Sequence, residues 1–520
     1  MPPSTPPVHS PIVPTERLSG GEQTRIRLPL PIVVGNRDYH ERESLLRRMD
    51  ELLRTSGIEA GFVAETVGLA ETVKQVATGM ILGDRERLRV QAEAHRTLRC
   101  SVARILSNES HRSFSAHLAE SPLLQWFCAC ETLGVVQVPS KSSLQRMEAS
   151  ISREVLNQLN VLLLKQSTLV NASGVSLLGL AQPTDLSVVW MDTTCAKLDI
   201  HYPSDWSLLR DGTRSIMRAI QVIRSHGLKV RMPDPKSFVS TMNRHSIAMS
   251  GASRRGRGGD KQTARKAVLR AMKRVVVTVL RHARSYHAAL TSDWSITDLS
   301  RAQAMLLLDR LQALIDRMPA AVKQAHERII GERVVPNADK LLSLYQPHAL
   351  VYVRGKAGAD AEFGLQLLLG ESAEGLIVDC TLTDDRVAND STLLIPALKR
   401  IRAEHGQDAA TGIVTDRGFF SAANSQILRD LGIHDATLPR SPSDMEKALQ
   451  DDAFRALHQR RAQTEARIGI FKANFLGDCL PTKSRKAQHR YVAWATLAHN
   501  LWVLARREVI PITLTQSTAA

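Results

Sequence analysis

At 520 residues, 43% hydrophobic and 23% charged, the chain has room for about three or four domains. It contains no apolar run of the roughly 18 residues that a membrane helix needs. A formal net charge of +16 points to a polyanionic partner, and with no lipidation signal present nucleic acid is favoured over a membrane. The six cysteines, at 100, 128, 130, 195, 380 and 479, form no Cys-x-x-Cys pair, which argues against a zinc site or disulfide framework and for a reducing cytoplasm.

Residues 1–37 open on "MPPSTPPVHSPIVP", which lacks the basic-then-apolar pattern of an export signal and reads as a disordered Pro-rich tail. Residues 38–181 read as an all-α N-terminal domain. "ERESLLRRMDELLRTSG" and "GDRERLRVQAEAHRTLRCSVARILSN" are amphipathic, with Gly57 and Gly83 as punctuation. One helix is expected over Val138–Gln166, opening on Pro139 and Ser140. Its Ser-x-x-Ser-Leu-x-Arg head fits a helix-turn-helix reading element and, equally, a plain bundle helix.

The pattern then changes. "DLSVVWMDTTCAKLDI", Asp185 to Ile200, is a strand whose apolar run Val188-Val189-Trp190-Met191 ends at Asp192. A second β block covers His348 to Asp384. A helix near Thr392–Glu404 follows, then a strand to Asp416, a helix near Ala422–Leu431, a short strand "DATLPR", and a last long helix over about Asp444–Phe475. Three strands, then helix, strand, helix, strand and helix make a mixed α/β sheet with helices packed on it, the order of a ribonuclease-H-like fold. The catalytic domain is expected over residues 182–200 and 348–505, with residues 506–520 as a tail.

Residues 201–347 form a long helical insertion after the first strand. From Arg254 to Arg284 this insertion holds eleven Lys/Arg and a single acid, Asp260. On a helix, Lys266, Arg270, Lys273, Arg274, Arg281 and Arg284 fall within an arc of roughly 100°, opposite Val268, Leu269, Met272, Val275, Val276 and Val279. Solvated faces usually mix signs, so a single-sign stripe favours contact with DNA phosphates. Trp206 and Trp294 bracket the insertion, as packing residues or as a platform for an unpaired base.

In "TGIVTDRGFFSAANSQILRDLGI", Asp416 stands at the C-terminal end of a strand, where open α/β sheets place their sites. The plain reading of Asp416-Arg417-Gly418 is turn chemistry, with Gly418 supplying a positive φ. In the expected sheet the first and fourth strands are neighbours, so Asp192 and Asp416 face one another at their ends. Two close carboxylates repel unless a cation sits between them, and hard Mg²⁺ or Mn²⁺ suits oxygen ligands. On the last helix, His458, Arg461, Glu465 and Lys472 lie within an arc of roughly 60°, and Ile468, Ile470, Phe471 and Phe475 pack the helix on the sheet. Glu465 is the candidate third acid there; i,i+4 salt bridging on a solvated face is the plain alternative. Asp379, on the third strand, reads as a structural acid or as one that supports the site's acids from behind.

"MDTT", "HYPSDWSLLRDG", "RGKAGADAEFG", "TDRGFFSAANSQILRDLGI" and the last helix together resemble a DDE-class transposase of bacterial insertion sequences, over about Asp192 to Trp502. The family's Tyr-x2-Arg-x3-Glu-x6-Lys signature is met at Arg461, Glu465 and Lys472, while His458 stands where tyrosine is expected. The resemblance implies Asp192, Asp416 and Glu465 as a catalytic triad holding two Mg²⁺ or Mn²⁺ ions. It also implies Arg417, Arg461 and Lys472 near the scissile phosphate. It implies a cytoplasmic enzyme, with no membrane association, that acts as a homodimer on element ends and target DNA, with residues 38–181 binding the ends. The alternatives are a catalytically inactive DNA-binding remnant and a ribonuclease-H-like nuclease that only hydrolyses.

Overall fold

The computed structural model describes residues 30–132, 135–254, 259–356, 359–383 and 389–510. Most of the expected N-terminal tail and the last ten residues of the C-terminal one therefore lie outside the described residues, as does the Arg255–Gly258 part of the basic segment.

In chain order, the N-terminal region carries α1 (Arg37–Thr55), α2 (Ile58–Thr78), α3 (Asp84–Leu106), α4 (His111–Glu120) and α5 (Pro122–Phe127). A minimal hairpin of β1 (Glu131–Thr132) and β2 (Val135–Val136) follows, then α6 (Lys141–Ser150) and α7 (Arg153–Thr168). Next come β3 (Val188–Lys197), α8 (Asp205–Ser225), α9 (Pro235–Arg254), α10 (Gly259–Asp293) and α11 (Arg301–Ala325). The remainder is β4 (Leu350–Lys356), β5 (Ala359–Glu371), β6 (Ile377–Leu382), α12 (Asp390–His405), β7 (Gly412–Thr415), α13 (Ala422–Asp430), β8 (His434–Thr437), α14 (Pro442–Ala448), α15 (Asp452–Phe471) and α16 (Arg485–Ala505). Described residues up to Ala196 and from Gln366 onward form one compact unit, and Lys197–Leu365 form a second. The protein is thus a mixed α/β chain with a helical N-terminal region and a mixed sheet.

In the first unit the strand path is β5-β3-β7-β8, with β6 paired to β5. β3 and β7 run parallel, Trp190 opposite Val414, and β8 continues parallel beside β7. β6 is antiparallel to the second half of β5, Leu367 opposite Leu382. Alternation along the strands separates two faces. Val189, Met191 and Ile413 point into a core with Leu394, Leu398 and Ile401 of α12, whereas Trp190, Val414 and Ala436 pack with Phe454 of α15.

α15 is fastened to that second face by directional bonds. The Trp190 indole donates to Leu457 O at 3.1 Å, and His458 Nε2 donates to Ala436 O at 2.8 Å. The Arg460 guanidinium lies 4.2 Å over the Trp190 ring and donates to Glu371, Ser372 O and Ala373 O. Phe471 and Phe475 are buried as expected, but Ile470 is exposed.

The long helices expected from periodicity are broken. Val138–Gln166 is two helices, because Ile151 is extended and Ser152 caps α7 by accepting from Val155 N. Asp444–Phe475 is likewise interrupted, and Asp451 caps α15. The N-terminal region stops being helical at Thr168, well before residue 181. α16 had no counterpart among the expected elements. It is the most buried helix of the unit, from Tyr491 to Leu504, and packs against α1, α3, α7 and β6. Its fully buried Asn500 donates to Asn160 of α7 and to Ile377 O of β6, both at 2.8 Å, and accepts from Ile377 N.

Charge is also buried among the N-terminal helices. Arg99, 1% exposed, donates to both oxygens of Glu59, to Asp50 and to Phe127 O, joining α1, α2, α3 and α5. Breaking such a buried network from one side costs about 3–5 kcal/mol, because the partners keep their charge.

The second unit is a bundle of α8 to α11 around Ile216, Ile220, Met272, Val276, Val279, Leu311 and Met318, with β4 antiparallel to the first half of β5. Gly212 on α8 leaves no room for a Cβ against Met318 and Leu344. Trp206 and Trp294 pack against this core rather than standing free.

Candidate active site

Asp192 and Asp416 are brought together. Because Trp190 is opposite Val414, Asp192 sits level with the residue that follows Thr415, the last of β7. β3 runs on past Asp192 to Lys197, within the expected strand, so Asp192 projects from mid-strand where the pairing with β7 stops and not, as expected, from the strand's end.

Each acid keeps one oxygen in a local bond. Asp192 Oδ1 accepts from Thr193 N at 2.7 Å, and Asp416 Oδ1 accepts from Gly418 N at 2.8 Å. Each turns the other oxygen toward the same guanidinium: Arg461 Nη2 is 3.4 Å from Asp192 Oδ2 and 3.9 Å from Asp416 Oδ2. Arg461 is presented there by α15, whose docking through Trp190, His458 and Arg460 fixes its height on the sheet.

The electrostatics follow from this crowding. Burial pushes the Asp192 carboxyl up to about 6; Arg461 opposes the rise, while Asp416 and Glu465 add to it. Glu465 stands one turn beyond Arg461 and is exposed. Lys472 begins the π turn that ends α15, and its Nζ donates to Thr194 Oγ1 at 3.2 Å. Arg417 is exposed, and its carbonyl accepts from Arg440 Nε at 3.2 Å. Burial lowers the proton affinity of His458, which serves here as an anchor to β8.

Gly418 is not explained by turn geometry, since its φ is not positive. Space is tight there instead. A Cβ there would lie 3.0 Å from Asp416 Oδ1 and 3.0 Å from Asp390 Oδ2. Asp390, in the first turn of α12, was missed by sequence reasoning. Its Oδ1 accepts from Thr193 Oγ1 at 2.9 Å and from Gln366 Nε2 at 3.0 Å. In "NDSTLL" it reads as an ordinary acid at a helix start, and nothing in the spacing joins it to Thr193, far away in sequence. Asp379 is structural, held by both arms of Arg400 at 2.9 and 2.8 Å.

The donors are all carboxylate oxygens, a set that fits a hard divalent cation. Among the described residues no three His, Cys, Asp or Glu lie close enough together to hold a metal ion. In this geometry Arg461 provides the positive charge between the two aspartates.

The basic stripe belongs to the second unit and is described by itself. Leu269, Met272, Val276 and Val279 of α10 are buried, as the wheel requires. Of the six cations, Arg270, Arg274, Arg281 and Arg284 are exposed. Lys266 is half-buried and paired with Glu332, and Lys273 donates to His326 Nδ1 at 3.2 Å.

Fold and site define a mixed α/β protein with two acids on adjacent parallel strands and a helix supplying cations beside them. Residues 347–501 match the model of the family described as the transposase DDE domain, which supports the resemblance to DDE-class transposases. The matched stretch takes in Asp390, Asp416, Arg461 and Glu465 and begins after Asp192. No curated protein and no solved structure matches the chain. Among the described residues no helix is long and apolar enough to cross a membrane.

Proposed function

We propose that the protein is an insertion-sequence transposase that binds element ends and carries out metal-dependent DNA strand cleavage and strand transfer, on a ribonuclease-H-like domain, as a cytoplasmic homodimer on DNA. The observation that carries this reading is the pair Asp192 and Asp416, level on adjacent parallel strands and bridged by one arginine of α15. The strand path, with β6 paired to β5 and β5, β3, β7 and β8 following side by side, supports the fold.

In this reading Asp192, Asp416 and Glu465 hold Mg²⁺ or Mn²⁺. When bound, these ions supply Lewis-acid activation of water or a 3′-hydroxyl and stabilise the leaving 3′ oxygen. The chain's own part is positioning and charge. Arg461 neutralises the aspartate pair and, with DNA present, turns its fork toward the scissile phosphate. Lys472, held against Thr194, and Arg417, exposed in the loop after β7, contact the same backbone. Arg270, Arg274, Arg281 and Arg284 of α10 bind phosphate without reading bases, whereas Lys266 and Lys273 are engaged within their own unit.

The test is cleavage of end-labelled DNA carrying the element's terminal repeat. Asp192→Asn, Asp416→Asn and Glu465→Gln should each abolish cutting while DNA binding and folding survive, and Mg²⁺ or Mn²⁺ should be required. Normal cutting by any of the three removes that residue from the site.

A further inference from the structure

We propose that Asp390 is a positioning residue of the cleavage site: from the first turn of α12 it fixes Thr193, and with it Asp192, while bracing the Asp416 loop across Gly418. The inference rests on the transposase reading for its consequence and on geometry for its content.

Three elements meet at this carboxylate. Oδ1 accepts from Thr193 of β3 and Gln366 of β5, so it ties two neighbouring strands to the start of α12. Thr193 is the residue whose N–H donates to Asp192 Oδ1, so the peptide that orients Asp192 is itself held through its hydroxyl. On the other side, a Cβ on Gly418 would lie 3.0 Å from both Asp390 Oδ2 and Asp416 Oδ1, so the two carboxylates approach the loop closely there. An independent clamp keeps the loop and helix together. Buried Asn424 donates to Ser391 O at 2.7 Å and to Phe419 O at 3.0 Å, joining the residue after Asp390 to the loop that carries Asp416. Both acids of the pair are thus referenced to the N-terminus of α12, and Asp390 is bonded on the β3 side and lies close to Gly418 on the other. Its carboxyl is raised by burial, with Thr193 opposing and Asp416 adding to the rise, which fits a group enclosed with that pair.

A role through hydrogen-bond acceptance predicts a distinctive split. Asp390→Asn keeps an Oδ1 acceptor for Thr193 and Gln366; Asp390→Ala keeps nothing. Full-length wild type and both variants are compared by single-turnover cleavage over a range of DNA concentrations and by amide hydrogen exchange. Asp390→Ala should lower the cleavage rate at saturating DNA by about tenfold or more with DNA affinity unchanged, because small misplacements at a reacting centre are costly. Exchange over residues 191–194 and 416–419 should quicken. Asp390→Asn should restore most of the rate and the slow exchange. If Asp390→Ala cuts like wild type or its exchange is unchanged, the positioning role is wrong. If Asp390→Asn is as slow as Asp390→Ala with exchange intact, the charge acts directly and the positioning role is again wrong. Should wild type cut no DNA at all, the transposase reading fails, and the exchange arm alone decides Asp390.

Discussion

Gly418 shows how much a single missing atom does here. A methyl group on Gly418 would lie 3.0 Å from a carboxylate oxygen of Asp390 and of Asp416, closer than ordinary contact. Gly418→Ala should therefore push the Asp416 loop away from α12 and lower strand cleavage by about tenfold or more, with DNA binding retained. Rate and affinity measured on the same DNA check this; a rate within twofold of wild type would show that the loop yields. At this scale part of the site was legible in the sequence. Asp192 and Asp416 each follow a short apolar run, and strand adjacency made their mutual repulsion an argument. Arg461 was placed by helical spacing. Asp390 was not legible, because its partners Thr193 and Gln366 reach it only through the folded sheet. The reason for Gly418 was misjudged, since sequence shows that a glycine is present but not whether conformation or space demands it.

Among the elements, α16 was invisible for a physical reason. Periodicity finds helices by their two unlike faces, and α16 is buried on nearly all sides, so "YVAWATLAHNLWVLA" has no polar stripe to betray it. Its burial carries a titratable group. His499, 3% exposed, lies among Phe471, Phe475 and Trp502, and burial pushes its imidazole down to about 4. A base with a lowered folded pKa stabilises the fold fully above its unfolded value of roughly 6.5, and that contribution is lost as pH falls toward 4. The full contribution is about 3 kcal/mol. Urea midpoints from pH 7.5 to 4 should fall more steeply for wild type than for His499→Gln; parallel curves would show that His499 titrates normally. α10 makes a different prediction. Its apolar face was read correctly from the wheel, but Lys266 and Lys273 are engaged within the unit, leaving four arginines outward. Reversing Arg270, Arg274, Arg281 and Arg284 to Glu should weaken binding to all DNA sequences. The slope of log K against log salt should flatten by about one for each arginine that touches phosphate. An unchanged slope in a binding titration at several salt concentrations would make α10 a solvated face.

At the scale of the whole molecule, the order of elements was legible and the sharing of a core was not. The N-terminal helices and the C-terminal helix lie in one compact unit: Phe62 meets Trp494 with ring centres 5.9 Å apart, and Asn160 accepts from Asn500. Sequence separation hides such closure, because each segment alone reads as an ordinary helix. A chain starting at residue 182 would expose the inner face of α16, so it should lose cooperative unfolding in urea followed by circular dichroism. A sharp transition with wild-type midpoint would show that the sheet and α16 stand without α1 to α7. In the proposed reaction Asp192 and Asp416 act as one unit. Residues that act as a unit are non-additive when removed. The direct measurement is the cleavage rate in Mn²⁺ of Asp192→Asn, Asp416→Asn and the double variant, each shown to be folded and to bind DNA. Each single change should abolish cutting nearly as fully as both together. Losses that multiply, or a single variant that cuts at the wild-type rate, would contradict it.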